Sequence, residues 1–209
     1  MPYRPNSVSS DCATTESIPL MKRYTTKGFL LIAAVASLGI ATMQASAEGQ
    51  RGLAEIERDV AERFPSVRGI PAEEVRRMQA EREDFLLLDV REVGEFAVSH
   101  IPGAQRVDPN ITATAFMNRF GAAARNRLIV LYCSVGVRSS RLAERIRVSL
   151  TASESKGAVN LIGGIFAWHN TGRELQRSNN GTQYVHPYSS PWKNYLDFDN
   201  KARFRPPTQ

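Results

Sequence analysis

Cysteine is nearly absent from this chain: the 209-residue sequence holds two, Cys12 and Cys133. Cys12 precedes a segment that reads as a cleaved leader, so Cys133 is expected to be the one thiol of the mature chain. A lone thiol cannot close an internal disulfide, which excludes a disulfide-stapled scaffold. Histidine is scarce as well, at three residues, and none adjoins Cys133 in sequence. Long apolar runs are missing. Phe29 to Ile40 is nearly all apolar but falls short of the roughly 20 residues that span a bilayer. Blocks of one charge sign are missing too: 27 Lys and Arg against 21 Asp and Glu are interspersed, for a formal net charge of +6. That mildly basic, mixed surface excludes the concentrated cationic stripe of a nucleic-acid binder. No internal repeat is evident.

What is present begins with a targeting pattern. Lys22, Arg23 and Lys27 form a positive segment, Phe29 to Ile40 an apolar one, and Ala45-Ser46-Ala47 a small-residue site. Residues 21–47 therefore read as a signal peptide cleaved after Ala47, which implies export and a periplasmic location. An uncleaved membrane anchor is the competing reading. Met1 to Leu20 is polar, contains Pro2, Pro5 and Pro19, and does not fit a leader. Met21 is an alternative start that would remove these residues and Cys12. Residues 48–209 suffice for one domain with a core.

Leu53, Ile56, Val60 and Phe64 recur at spacings of three and four, which predicts an amphipathic helix within 48–69. Pro65 ends it. A helix from Pro71 to about Arg82 carries acidic Glu73 and Glu74 in its first turn. Phe85 to Leu88 reads as a buried strand ending at Asp89-Val90-Arg91. Further elements follow: a helix Val93 to Val98, a turn His100 to Ala104, a brief strand Gln105 to Val107 and a helix Ala113 to Ala124. A strand Leu128 to Tyr132 leads into Cys133, and a helix runs from Ser139 to Val148. A last strand, Val159 to Ile162, precedes a Gly163-Gly164 turn into a helix through Trp168. Short apolar strands alternating with helices predict an α/β fold, a central parallel sheet flanked by helices. Ligands of such sheets bind at the carboxyl ends of strands. Asp89, Cys133 and Gly163 lie there and should share one edge. From Arg177 onward, Pro187, Pro191, Pro206 and Pro207 interrupt a polar stretch with Tyr184, Tyr188, Trp192, Tyr195, Phe198 and Phe204. Residues 176–209 are expected to wrap the domain with their aromatics inward, or to serve as an arm for a protein partner.

The chemistry concentrates in Cys133-Ser134-Val135-Gly136-Val137-Arg138, followed by Ser139-Ser140. The thiolate is the nucleophile, and a free cysteine is mostly protonated at neutral pH. Three features favour the anion here. Backbone N–H groups of Ser134 to Arg138 can curl around the sulfur as a nest. The helix starting near Ser139 adds its positive dipole end, and Arg138 adds a full charge on a planar fork. Gly136 lets the loop close tightly. A small hydrophobe that happens to be cysteine is the bland alternative.

Four segments in order resemble a rhodanese-like domain of the single-domain thiosulfate sulfurtransferase type. They are Asp89-Val90-Arg91-Glu92 with Glu95-Phe96, Ser99 to Ala104, Tyr132 to Ser140, and Leu161 to Trp168. The resemblance covers roughly Ile70 to Gly172, within a domain bounded at 70–175. It implies that Cys133 attacks the outer sulfur of a donor such as thiosulfate and carries it as a persulfide. A thiol or cyanide then accepts it, with no metal and no cofactor. It makes Ser134, Val135, Gly136, Val137 and Arg138 the substrate-binding loop, with Arg138 orienting the donor or anchoring the loop. Asp89, Arg91 and Ser139 support it, the first two as a charge pair beneath the loop or as substrate contacts. His100 reads as a turn residue, Trp168 as core, and Gly163 and Gly164 as permitting close packing.

Two rivals remain. A tyrosine-phosphatase-like or arsenate-reductase-like enzyme also uses a Cys loop ending in Arg. Related phosphatases of this fold carry one residue more than the four between Cys133 and Arg138, and the smaller ring suits sulfur better than phosphate. A persulfide carrier or docking module without thiosulfate turnover is the second. The neutral Val135 and Val137 side chains would weaken binding of a dianionic donor.

Overall fold

The computed structural model describes residues 52–206. The expected leader, Cys12 and the start of the expected N-terminal helix lie outside the described residues. Among them, no helix is long and apolar enough to cross a membrane.

Residues 52–63 form helix α1, which buries Leu53 and Val60, and Phe64 just beyond it is also buried. The elements β1 (Gly69–Ile70), α2 (Ala72–Ala80), β2 (Phe85–Asp89), α3 (Val93–Val98) and β3 (Gln105–Arg106) follow. Next come α4 (Ala113–Ala124), β4 (Leu128–Tyr132), α5 (Val137–Thr151), β5 (Ala158–Leu161) and α6 (Gly164–Asn170). The five strands pair in the order β1-β5-β4-β2-β3, and every pair is parallel.

The sheet is apolar on both faces because alternate side chains point to opposite sides and each side is covered. Leu86, Leu88, Ile129, Leu131 and Cys133 pack with Phe116 and Phe120 of α4 and with Leu142 and Ile146 of α5. Leu87, Val130, Tyr132, Val159 and Leu161 face the other way. They meet Val75 and Met78 of α2, Leu53 of α1, and Ile165 and Trp168 of α6. Cys133 thus continues the alternation of β4 and enters one core layer, although it lies past the strand.

Strand β1 has no counterpart in the sequence pattern. It sits beside β5, pairing Gly69 with Asn160 and Ile70 with Leu161, and extends the sheet N-terminal to the first helix of the resemblance.

After α6, strands β6 (Leu175–Arg177) and β7 (Asn180–Thr182) form an antiparallel hairpin. His100 and Gln176 exchange backbone hydrogen bonds of 2.9 Å each way, tying the hairpin to the turn after α3. Two 3-10 helices follow, Ser190–Tyr195 and Asp199–Lys201. The segment is part of the core through Val185, Leu196 and Ala202, with Trp192 and Tyr195 packed against them. Three of its other four aromatics are exposed: Tyr188, Phe198 and Phe204, at 50%, 41% and 44%. Cations explain why they tolerate water. Lys201 lies over Phe198 at 5.1 Å and Lys193 over Phe204 at 5.5 Å, and ring faces attract such charges at exposed sites.

Phe116 has no exposed surface, whereas Val148 on α5 is 72% exposed. Phe116→Ala is expected to lower unfolding free energy by about 3–5 kcal/mol. Val148→Ala should stay within about 0.5 kcal/mol. Urea denaturation of both variants measures the difference, and equal effects would contradict this assignment of the two helix faces.

Candidate active site

Strand β4 delivers Cys133 to the carboxyl edge of the sheet, and three residues later the chain is turning into α5. The helix begins at Val137, ahead of the Ser139 start that the sequence pattern implies, so Arg138 stands in its first turn. Gly136 makes this possible. It occupies the N-cap with φ 109° and ψ −13°, a region that L side chains avoid. A Cβ there would lie 2.9 Å from Nδ2 of Asn160.

Two carbonyls of the loop are engaged by α6. The N–H of Ile165 donates to the Cys133 carbonyl at 2.9 Å, and that of Phe166 to the Ser134 carbonyl at 3.1 Å. Gly164 is the contact point: at φ +57°, a Cβ would fall 2.5 Å and 2.6 Å from the same two oxygens. With those carbonyls engaged by α6, the Gly136 N–H points at Cys133 Sγ, 3.2 Å away. The Ser139 hydroxyl lies 3.1 Å from the Gly136 carbonyl and 2.6 Å from Asn160 Oδ1, locking the first turn of α5 to β5.

Cys133 is 2% exposed. Burial pushes its thiol up, but the Arg138 charge, the Ser139 hydroxyl and amide and the Gly136 amide outweigh this and hold it below the ordinary value. Of the amides from Ser134 to Arg138, that of Gly136 hydrogen-bonds the sulfur, and Ser139, one residue beyond that span, adds its hydroxyl and amide.

Arg138 anchors the loop. Its guanidinium donates to both oxygens of Glu95, at 2.7 Å and 2.8 Å, and to the Ser134 hydroxyl at 3.0 Å. The Ser134 hydroxyl also donates to Glu95 at 3.1 Å. Burial raises the Glu95 carboxyl, yet Arg138 prevails and holds it below the usual range. Glu95 closes a capping box as well, accepting the Glu92 N–H at 3.0 Å. Sequence reasoning quoted Glu95 without giving it a role. Its place three residues after Glu92 is the capping-box signal that could have flagged it. Asn160 was missed too, as a polar residue in an apolar strand.

Asp89 and Arg91 pair beside the loop. Both side chains are fully buried, with contacts of 2.8 Å and 2.6 Å, and Arg91 donates to the Ser99 carbonyl at 2.6 Å. Asp89 sits in register with Tyr132. Neither lines the cavity above Cys133. His100 stacks on Phe96 at 3.8 Å and lies in the turn.

That cavity measures about 260 Å³ and is lined by Cys133, Ser134, Val135, Val137, Arg138 and Arg141, with Tyr188 and Trp192 from the C-terminal segment. Gly136 does not line it but serves the sulfur from beneath. A larger groove of about 580 Å³, between Arg76, Phe85, Trp168 and Glu174, contains no cysteine, serine or histidine. Among the described residues, no cluster of His, Cys, Asp and Glu could hold a metal.

The rhodanese-like domain description matches residues 71–171. A sulfurtransferase of Allochromatium vinosum is 31% identical over 103 residues, spanning 49% of this chain and 88% of that relative. The chain belongs to the rhodanese-like domain family. Among solved structures, it is similar to a rhodanese-like domain protein from Staphylococcus aureus, at 26% identity and TM-score 0.39, covering 49% of this chain and 91% of that one. It is also similar to thiosulfate sulfurtransferase from Pseudomonas aeruginosa, at 23% identity and TM-score 0.46, covering 68% of this chain and 26% of that one. The matched rhodanese-like span contains Cys133, Glu95, Arg138 and Arg141. It excludes Tyr188 and Trp192, which complete the cavity wall.

A depressed thiol pKa means that the thiolate persists to lower pH than in an unperturbed cysteine. Iodoacetamide should therefore alkylate Cys133 with an inflection at lower pH than a reference cysteine peptide. Arg138→Gln removes the leading charge on the anion's side, so its inflection should move upward. An unchanged inflection would remove Arg138 from the account of thiolate stability.

Proposed function

We propose that this rhodanese-like chain is a sulfurtransferase that carries sulfane sulfur on Cys133. The observation that carries the reading is the placement of Cys133 in a cavity with the Gly136 amide 3.2 Å from its sulfur and Arg138 on the same wall. The Cys133 thiolate attacks the outer sulfur of a donor such as thiosulfate. The bond from that sulfur to the sulfonate breaks, and sulfite leaves with the electron pair. The product is a persulfide anion whose outer sulfur lies about 2 Å further into the cavity. Preorganised N–H donors suit such a displaced anion better than a single base does. Cyanide or a thiol then attacks the outer sulfur, and the pair returns to Cys133 as thiolate. The relative from Allochromatium vinosum, named a sulfurtransferase, supports this reading. The leader pattern over 21–47 supports action outside the cytoplasm.

A carrier without thiosulfate turnover is the second reading. It is favoured by the Glu95 carboxylate, which already neutralises Arg138 and leaves little charge for a dianion.

Incubated with thiosulfate, the protein should gain one sulfur atom, about 32 Da, on Cys133 as a persulfide. Added cyanide should remove it as thiocyanate, and Cys133→Ser should show neither step. An adduct without thiocyanate turnover would leave the carrier. Hydrolysis of a phosphoester with no sulfur adduct would overturn both.

Export is tested separately. The protein recovered from a periplasmic extract should begin at Glu48; recovery from the cytoplasm with the leader intact would contradict it.

A further inference from the structure

The cavity over Cys133 has an unusual balance of charge and apolar surface. Two arginines border it. Arg138 gives both terminal nitrogens to Glu95, so its charge is met within the protein. Arg141, one turn further along α5, makes no ion pair among the described residues and is exposed. One cation is therefore free to meet a ligand. A second negative charge brought to this site would meet no second unpaired arginine among those that line it.

The rest of the wall is apolar or aromatic. Val135 and Val137 line it. Tyr188 lies over the Arg138 guanidinium at 4.9 Å, covering the face of the ion pair. Its ring meets Trp192 edge-on at 6.1 Å, and Trp192 leans on Tyr195 at 5.2 Å. Tyr188 is held there by its backbone. It adopts φ +65°, and its N–H donates to Nδ1 of His186 at 3.0 Å. Such a conformation costs free energy in a bulky residue and is kept where the surroundings impose it. The cavity, at about 260 Å³, approaches the lower bound of roughly 300 Å³ for small-molecule sites.

We propose that the preferred sulfur donor is an organic monoanion, a thiosulfonate or an organic persulfide, whose apolar body rests on Trp192 and Tyr188 while Arg141 meets its charge. Tyr188 and Trp192 are then specificity-determining residues supplied by the segment outside the rhodanese-like match. This rests on the sulfurtransferase reading. With a thiosulfonate, the Cys133 thiolate attacks the terminal sulfur. The bond between that sulfur and the sulfonyl sulfur breaks, and the sulfinate leaves with the electron pair. With a persulfide, a thiolate leaves instead. No outside oxidant or reductant is required.

The test compares two probes on the full chain, benzenethiosulfonate and inorganic thiosulfate, by the rate at which each adds one sulfur to Cys133. Benzenethiosulfonate should load at least about tenfold faster in the wild type, and Trp192→Ala should lower that ratio by about fivefold or more. Trp192→Phe should hold the ratio within about twofold, and Arg141→Gln should slow benzenethiosulfonate where Arg141→Lys does not. The ratio is internal to each protein, so a partly unfolded variant does not distort it. Thiosulfate loading as fast as or faster than benzenethiosulfonate, or a ratio unchanged in Trp192→Ala, overturns the proposal and leaves sulfur transfer standing. An adduct from neither probe overturns both.

Discussion

The two parallel hydrogen bonds between Arg138 and Glu95 close a separation of 43 residues, and the loop after Cys133 takes its shape from them. The Glu95 side chain is 5% exposed and that of Arg138 19%. Removing either partner would strand the other charge away from water, which is far more costly than the pair is worth as a pair. The contact joins α3 to the first turn of α5 and gathers the Ser134 hydroxyl between the two charges. It thereby sets the path of the chain between Cys133 and Gly136. It also decides the electrical character of the cavity. An arginine that looks like an anion receptor in sequence is a compensated charge in the fold, roofed by an aromatic ring.

The second constraint is the close approach of α6. Its first free amides take the carbonyls of Cys133 and Ser134, and such amides have no partner within their own helix. Those two carbonyls are thereby occupied, and the Gly136 N–H is the loop amide that reaches Cys133 Sγ. Gly164 is the residue whose missing side chain lets the two backbones touch. A Ser139 hydroxyl seated against Asn160 completes the frame from the neighbouring strand. Arg91 and Asp89, wholly buried beside it, stiffen the same edge from the other side.

Much of this was legible in the residues. The helices Val93–Val98 and Ala113–Ala124 and the strand Leu128–Tyr132 follow from apolar spacing and end where it predicts. The order of elements sufficed for a parallel sheet, and strand ends placed Asp89, Cys133 and Gly163 together. Other features leave little local trace. A two-residue strand such as Gly69–Ile70 has no period to detect, and its partner lies far along the chain. The early start of α5 depends on a positive φ at Gly136, which composition permits but does not demand. Glu95 is one of many acidic residues until its partner is in place. Tyr188 and Trp192 sit in a proline-broken stretch without periodicity, so their place against Cys133 is a property of tertiary packing alone. The aromatic tail, read as an inward wrap or as a partner-binding arm, divides between rings packed on the core and rings shielded by cations.

The sheet ends as abruptly as it begins. Its outermost strands, β1 and β3, are two residues each, while the three between them are longer and fully flanked. An edge strand exposes a row of unsatisfied backbone groups that a foreign strand can dock against, and the hazard grows with its length. Here the open margins are too brief to template such an addition. The candidate nucleophile Cys133 is thus housed in a sheet whose described edges offer little purchase for strand exchange between molecules.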